Sequence, residues 1–171
     1  YLSGGLGDDP ADTNAYAASM FFATDRYVSY RTDWRADYLA PDTVVIANRY
    51  TTANAYHQLA KMERTEWDAF LDWLWDFEYH KLGIPAPDQV LFLDVPQSLS
   101  DANVRKRSGE TGQSLDIHEK DRAYLAACRT AALYEAEKCA WDVVDCAETG
   151  GEMQKSREKI ACEIRARLRE L

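Results

Sequence analysis

Val44-Val45-Ile46-Ala47-Asn48-Arg49-Tyr50-Thr51-Thr52-Ala53-Asn54-Ala55-Tyr56-His57-Gln58 is the stretch on which the reading of this chain turns. Its first four residues are wholly apolar, polar groups follow at once, and a helical pattern begins at the threonines. That order predicts a short buried strand over about Thr43–Ala47 and a helix over Thr51–Met62, with the carboxyl end of the strand facing a crevice. Arg49 stands at that end. A planar guanidinium there suits a phosphate held in two-point contact, and the plainer alternative is a salt-bridged surface residue.

Two more apolar runs read as strands, Gln89–Val95 and Trp141–Cys146. Helical patterns separate the three, so the fold class is α/β, a parallel sheet flanked by helices. Asp9 and Pro10 predict the start of a long helix reaching about Arg31, with Tyr16, Ala17, Met20, Phe21, Thr24, Tyr27 and Val28 as its apolar side. Thr65 with Asp68 predicts another helix start. Its stripe is Trp67, Phe70, Leu71, Leu74 and Phe77, and Gly83 with Pro85 ends it. Trp73 and Trp75 lie off the stripe and widen the apolar surface, toward burial on two sides or a subunit contact. Ser98 with Asp101 caps a helix that carries Arg105, Lys106 and Arg107 at its end. The Gly/Ser/Thr-rich run 108–114 reads as a mobile loop, and Asp116 with Glu119 restarts a helix to about Lys138.

With 29 acidic and 20 basic residues among 171, the chain has a net charge of -9, which repels nucleic acid and anionic membrane except at a concentrated arginine patch. Cys128, Cys139, Cys146 and Cys162 show no C-x-x-C pairing and read as reduced structural thiols. No apolar run approaches the roughly 20 residues of a membrane span, and a cytoplasmic protein is expected.

Several stretches in order then resemble thymidylate kinases, the P-loop nucleoside monophosphate kinases that phosphorylate dTMP, above all the bacterial type. They are Phe21-Phe22-Ala23-Thr24-Asp25-Arg26, then Asn48-Arg49-Tyr50 with Asn54 and Gln58, then Pro87-Asp88 followed by Leu93-Asp94-Val95, and Asp116-Ile117-His118-Glu119. The resemblance implies one three-layer P-loop kinase domain over 1–171, with a lid at about 105–118. It implies phosphoryl transfer from ATP to dTMP with Mg2+, and a homodimer joined through long helices. Phe22 would lie against the thymine ring, and Arg26, one helical turn on, would donate to a base carbonyl. Arg49 would grip the dTMP phosphate, Asn54 would pair with the base edge and Gln58 would support the pocket. Arg107, with Arg105 and Lys106, would close over ATP, although each reads equally well alone as a solvated helix end. Asp116, His118 and Glu119 would cap the helix behind the lid.

Two positions depart from the family pattern. Asn48 stands where most members have aspartate, and a neutral amide can still bond a water of Mg2+ but attracts the cation less strongly. His57 stands where many have a tyrosine that crowds the sugar 2′ position, so strict deoxyribose selectivity is not implied. A G-x-x-x-x-G-K-[ST] loop occurs nowhere in the sequence, and Ser3-Gly4-Gly5-Leu6-Gly7 reads as a turn. The resemblance therefore implies a strand and phosphate loop preceding Tyr1, the strand lying in the sheet between those at Val44 and Val90. Two alternatives stand beside this reading: a kinase for another deoxynucleoside or its monophosphate, and a non-catalytic nucleotide-binding or scaffold domain.

Overall fold

The computed structural model describes residues 5–7, 9–111 and 121–168, with backbone alone at 10 and 105–111. Ala11–Ala86 forms one compact unit, and Pro87–Leu171 with Tyr1–Pro10 forms another. The architecture is mixed helix and sheet, compatible with the α/β class.

A 3-10 turn at Pro10–Asp12 leads to α1, Ala15–Ser29, of the first unit. Asn14, not Asp9, caps that helix, its Oδ1 accepting the Ala17 N–H at 2.9 Å and satisfying one of the orphan donors of the first turn. The helix also outruns Arg31, because a π-helical turn at Tyr30–Trp34 carries it into α2, Arg35–Tyr38. Its buried face is Ala15, Ala18, Ser19, Ala23 and Tyr30, while Tyr16, Met20, Phe21 and Val28 of the expected apolar side are exposed. The neighbour decides this. α1 packs on α3, Thr51–Leu59, with Ser19 reaching Asn54 across the contact, and small residues of α1 are buried while Met20, Phe21 and Val28 are turned out.

Val44–Ala47 is not a strand. The segment has no regular structure, and Val44 and Ile46 are 64% and 90% exposed. An apolar run becomes a strand only when another backbone takes up its N–H and C=O groups, and none of the described residues does so.

The next helix starts earlier than expected. Glu63 and Glu66 form the capping box around a 3-10 turn, and α4 follows over Trp67–Trp75. Trp67, Phe70, Leu71 and Leu74 are buried as the spacing requires, and Phe77 is half-buried. A π turn at Asp76–Lys81 prolongs the helix, and Gly83 at φ +69° ends it in the left-handed conformation glycine adopts without steric cost. Ile84 then turns back into the core. Trp73 stacks on Phe77 at 5.4 Å and meets the edge of Tyr16 at 4.7 Å, and Trp75 stacks on Tyr79 at 5.6 Å. Both indoles thus have partners within the unit.

In the second unit β1, Leu91–Asp94, and β2, Asp142–Asp145, pair in parallel with Leu91 opposite Asp142 and Asp94 opposite Asp145. Among the described residues the sheet has these two strands, not three. Leu93 is 45% exposed, so the continuous apolar run does not imply burial on both faces. α5 spans Gln97–Thr111 and takes in residues 108–111, where a loop was expected. Asp101 does not cap it; Asp101 accepts from Gln97 at 2.8 Å and pairs with Arg122. Residues 112–120 lie outside the described chain, and with them Asp116, His118 and Glu119. α6, Arg122–Lys138, is capped by Asp121, and α7, Arg157–Arg167, by Ser156. Arg129 of α6 grips Asp94 at the end of β1 in two-point contact, at 2.6 and 2.8 Å. All four cysteines are free thiols. Among the described residues no helix is long and apolar enough to cross a membrane.

Glu135 of α6 is fully buried, and neither carboxyl oxygen has a hydrogen-bond partner among the described residues. Burial alone holds its pKa well above the ordinary 4.5. The folded state therefore retains a proton that the unfolded state loses above that value. Stability is greatest below it and falls as pH rises, by up to about 1.4 kcal/mol per unit until the folded group also ionises. Chemical denaturation from pH 4 to 8 should show this slope, and Glu135→Leu should remove it and raise stability at pH 8. In the first unit, Phe70→Ala should cost about 3–5 kcal/mol, read from urea unfolding with m unchanged.

Candidate functional site

Within Ala11–Ala86 one cluster of polar side chains is built into the helix packing. Arg26 comes from α1, Asn54 and Gln58 from α3, and Glu78 from the π turn after α4. Arg26 Nε donates to Glu78 Oε2 at 2.7 Å and Nη2 donates to Oε1 at 3.0 Å. Asn54 Nδ2 donates to the same Oε1 at 3.5 Å, and Asn54 Oδ1 accepts from Gln58 Nε2 at 3.2 Å and from Ser19 Oγ at 3.5 Å. The Glu78 side chain is fully buried and that of Arg26 is 15% exposed. Leaving either charge buried alone would cost several kcal/mol, so each is tolerable here only because the other is present.

Tyr50 ties this cluster to the loop before α3. Its ring lies under the Arg26 guanidinium, 5.5 Å from centroid to carbon, and its hydroxyl donates to the Pro85 carbonyl at 2.8 Å. Burial first, and then Tyr79, push the Tyr50 hydroxyl up, so it stays a neutral donor. Thr51 and Tyr79 share a short hydroxyl–hydroxyl bond beside it.

Arg49 precedes Tyr50 in the chain and differs from Arg26 in every respect. It is exposed, it has no hydrogen bond or ion pair to a described residue, and its φ of +69° is left-handed, unusual for a residue with a Cβ. α3 begins two residues on, at Thr51, without a side-chain cap from Tyr50, and the Ala53 and Asn54 N–H groups return to the Tyr50 carbonyl at 3.1 and 3.4 Å.

Of the residues marked in the sequence, Arg26, Asn54 and Gln58 come together directly. Phe22 lies half-buried one turn before Arg26, on the packed side of α1. His57 is half-buried with its ring 4.8 Å from that of Tyr56. Asn48 is exposed, and no group of three acidic, histidine or cysteine side chains among the described residues could hold a metal ion. Arg105, Lys106 and Arg107 lie on the backbone of α5, and their side chains fall outside what is described.

Glu78 was missed. Its signal is a carboxylate four residues after Leu74 on an otherwise apolar stripe, a position that charged residues occupy only when paired.

No family model matches the chain. Two curated proteins do, the thymidylate kinases of Mycobacterium tuberculosis strains CDC 1551 / Oshkosh and ATCC 25618 / H37Rv. Each is 28% identical over 123 residues, which cover 71% of this chain and 56% of the relative. The chain thus spans about half the length of the curated relatives it matches.

Proposed function

We propose that the protein is a thymidylate kinase, transferring the γ-phosphoryl group of ATP to dTMP to give dTDP and ADP. The observation that carries the reading is the contrast between two arginines of one helical unit, a charge-compensated Arg26 beside Asn54 and an uncompensated Arg49 at the start of α3. A nucleoside monophosphate has a neutral ring at one end and an anion at the other, and the two arginines suit those ends. The similarity to the two mycobacterial thymidylate kinases supports the same substrate.

In this reading Phe22 covers one face of the thymine ring, Arg26 and Asn54 donate to its edge, and Gln58 holds Asn54 in place. His57 lies toward the sugar. Arg49 takes the phosphate. A left-handed residue is a modest strain, of the kind found where a side chain is held for a ligand. Phosphoryl transfer asks for alignment and charge neutralisation more than for covalent chemistry, and a fixed guanidinium on the acceptor phosphate supplies both. Arg107, with Arg105 and Lys106, belongs to the proposal as the lid over ATP.

Mg2+ is expected to accompany ATP. The described residues make no carboxylate centre for it, and Asn48, a neutral amide, would bond a water of the ion and attract it less than a carboxylate would, so no step is derived through the metal. Both compact units are proposed to form one kinase domain. The exposed apolar residues Tyr16, Met20, Phe21 and Val28 of α1 support a homodimer, and the cytoplasm is the proposed location. A kinase for another deoxynucleoside monophosphate is the second reading, favoured by His57 in place of a tyrosine.

With ATP and Mg2+, the full-length protein should release ADP with dTMP in clear preference to dCMP, dGMP and AMP. Equal turnover of all four would overturn the assignment. Arg49→Ala should lower turnover about 100-fold or more while leaving thermal unfolding within a few degrees, since its side chain holds no described partner. Unchanged turnover would remove Arg49 from the mechanism.

A further inference from the structure

We infer that Glu78 is the positioning residue of the base-reading edge. It cancels the charge of Arg26 and fixes its guanidinium so that Nη1, with the carboxamide of Asn54, reads a neutral carbonyl-bearing ring, while the anion is left to Arg49. This rests on the nucleotide reading above and adds a positioning residue to it.

The geometry of one carboxylate carries the argument. Both Glu78 oxygens are engaged, Oε2 by Arg26 Nε, and Oε1 by Arg26 Nη2 and Asn54 Nδ2. A carboxylate held by donors from two helices cannot rotate without breaking a bond to one of them. The guanidinium is in turn held in its plane by the two-point contact and from one face by the Tyr50 ring. Nη1 forms no hydrogen bond among the described residues, and Asn54 Nδ2 keeps a second hydrogen. Two donors are thus set by one buried group.

Charge decides what they read. A compensated pair of this kind presents hydrogen-bond donors without net charge, and a phosphate brought to Arg26 would also meet the Glu78 carboxylate. A neutral carbonyl meets no such repulsion. Arg49, exposed and without an acidic partner among the described residues, keeps its full charge for an anion.

The test uses the full-length protein and two substitutions. Glu78→Asp keeps the charge and retracts the carboxylate by one methylene, and Glu78→Gln keeps the length and removes the charge. Thermal unfolding establishes that each is folded, and Glu78→Asp carries the test alone if the other is not. Titration calorimetry with dTMP and, separately, with pyrophosphate gives affinities, and the Arg26 Nε–H signal in NMR reports the fixed fork. Glu78→Asp should weaken dTMP about tenfold and leave pyrophosphate unchanged. Glu78→Gln should weaken dTMP and tighten pyrophosphate, because Arg26 then carries unbalanced charge. The Nε–H signal, slow to exchange in the wild type, should exchange quickly in both.

Wild-type affinity for dTMP in folded Glu78→Asp overturns the proposal. An equal loss of dTMP and pyrophosphate binding overturns it too, as the mark of general damage. If the wild type binds no dTMP while its Arg26 Nε–H is protected, the kinase reading and the base-positioning role fall together. Wild-type binding with an unaffected Glu78→Asp removes only the latter.

Discussion

The two-point contact between Arg26 and the buried Glu78 is the constraint from which the organisation of Ala11–Ala86 follows. Neither group can be left in an apolar interior alone, so α1 must stand at the distance and rotation that bring its guanidinium onto that carboxylate. Asn54 on α3 joins the same oxygen and so fixes the third helix. An apolar interface of the same volume would tolerate slipping by a fraction of a turn. A hydrogen-bonded charge pair does not, because each bond is lost within a few tenths of an ångström.

That rotation has a consequence for the surface of α1. With Ser19, Ala23 and Arg26 inward, Met20, Phe21 and Val28 face outward. Their exposure is thus a by-product of where the polar cluster sits. The π turns at Tyr30–Trp34 and Asp76–Lys81 belong to the same adjustment, since a π turn shifts the phase of a helix without ending it. Glu78 stands inside one of them.

How much of this the sequence carried can be read residue by residue. The stripe Trp67, Phe70, Leu71 and Leu74 was legible, because helical period and burial coincide there. So was the parallel sense of the runs at Leu91 and Asp142. The face of α1 was not legible, since both of its sides hold residues that could be buried, and only the approach of α3 selects the small ones. The run Val44–Ala47 reads as a strand on composition, yet a strand is a relation between two backbones, and one segment cannot specify its partner. Asn14 took the cap expected of Asp9 because capping depends on the local backbone turn as well as on the side-chain type.

The sequence by itself determined the elements whose information is local: where most helices lie, how the α4 stripe is spaced, and that the runs at Leu91 and Asp142 favour strands. Only the tertiary structure decided which groups balance one another. Glu78 lies 52 residues from Arg26, and no local pattern links them, because a buried charge is satisfied through space by whatever the packing brings within hydrogen-bond reach. The same packing left Arg49, at the mouth of α3, without a counter-charge among the described residues.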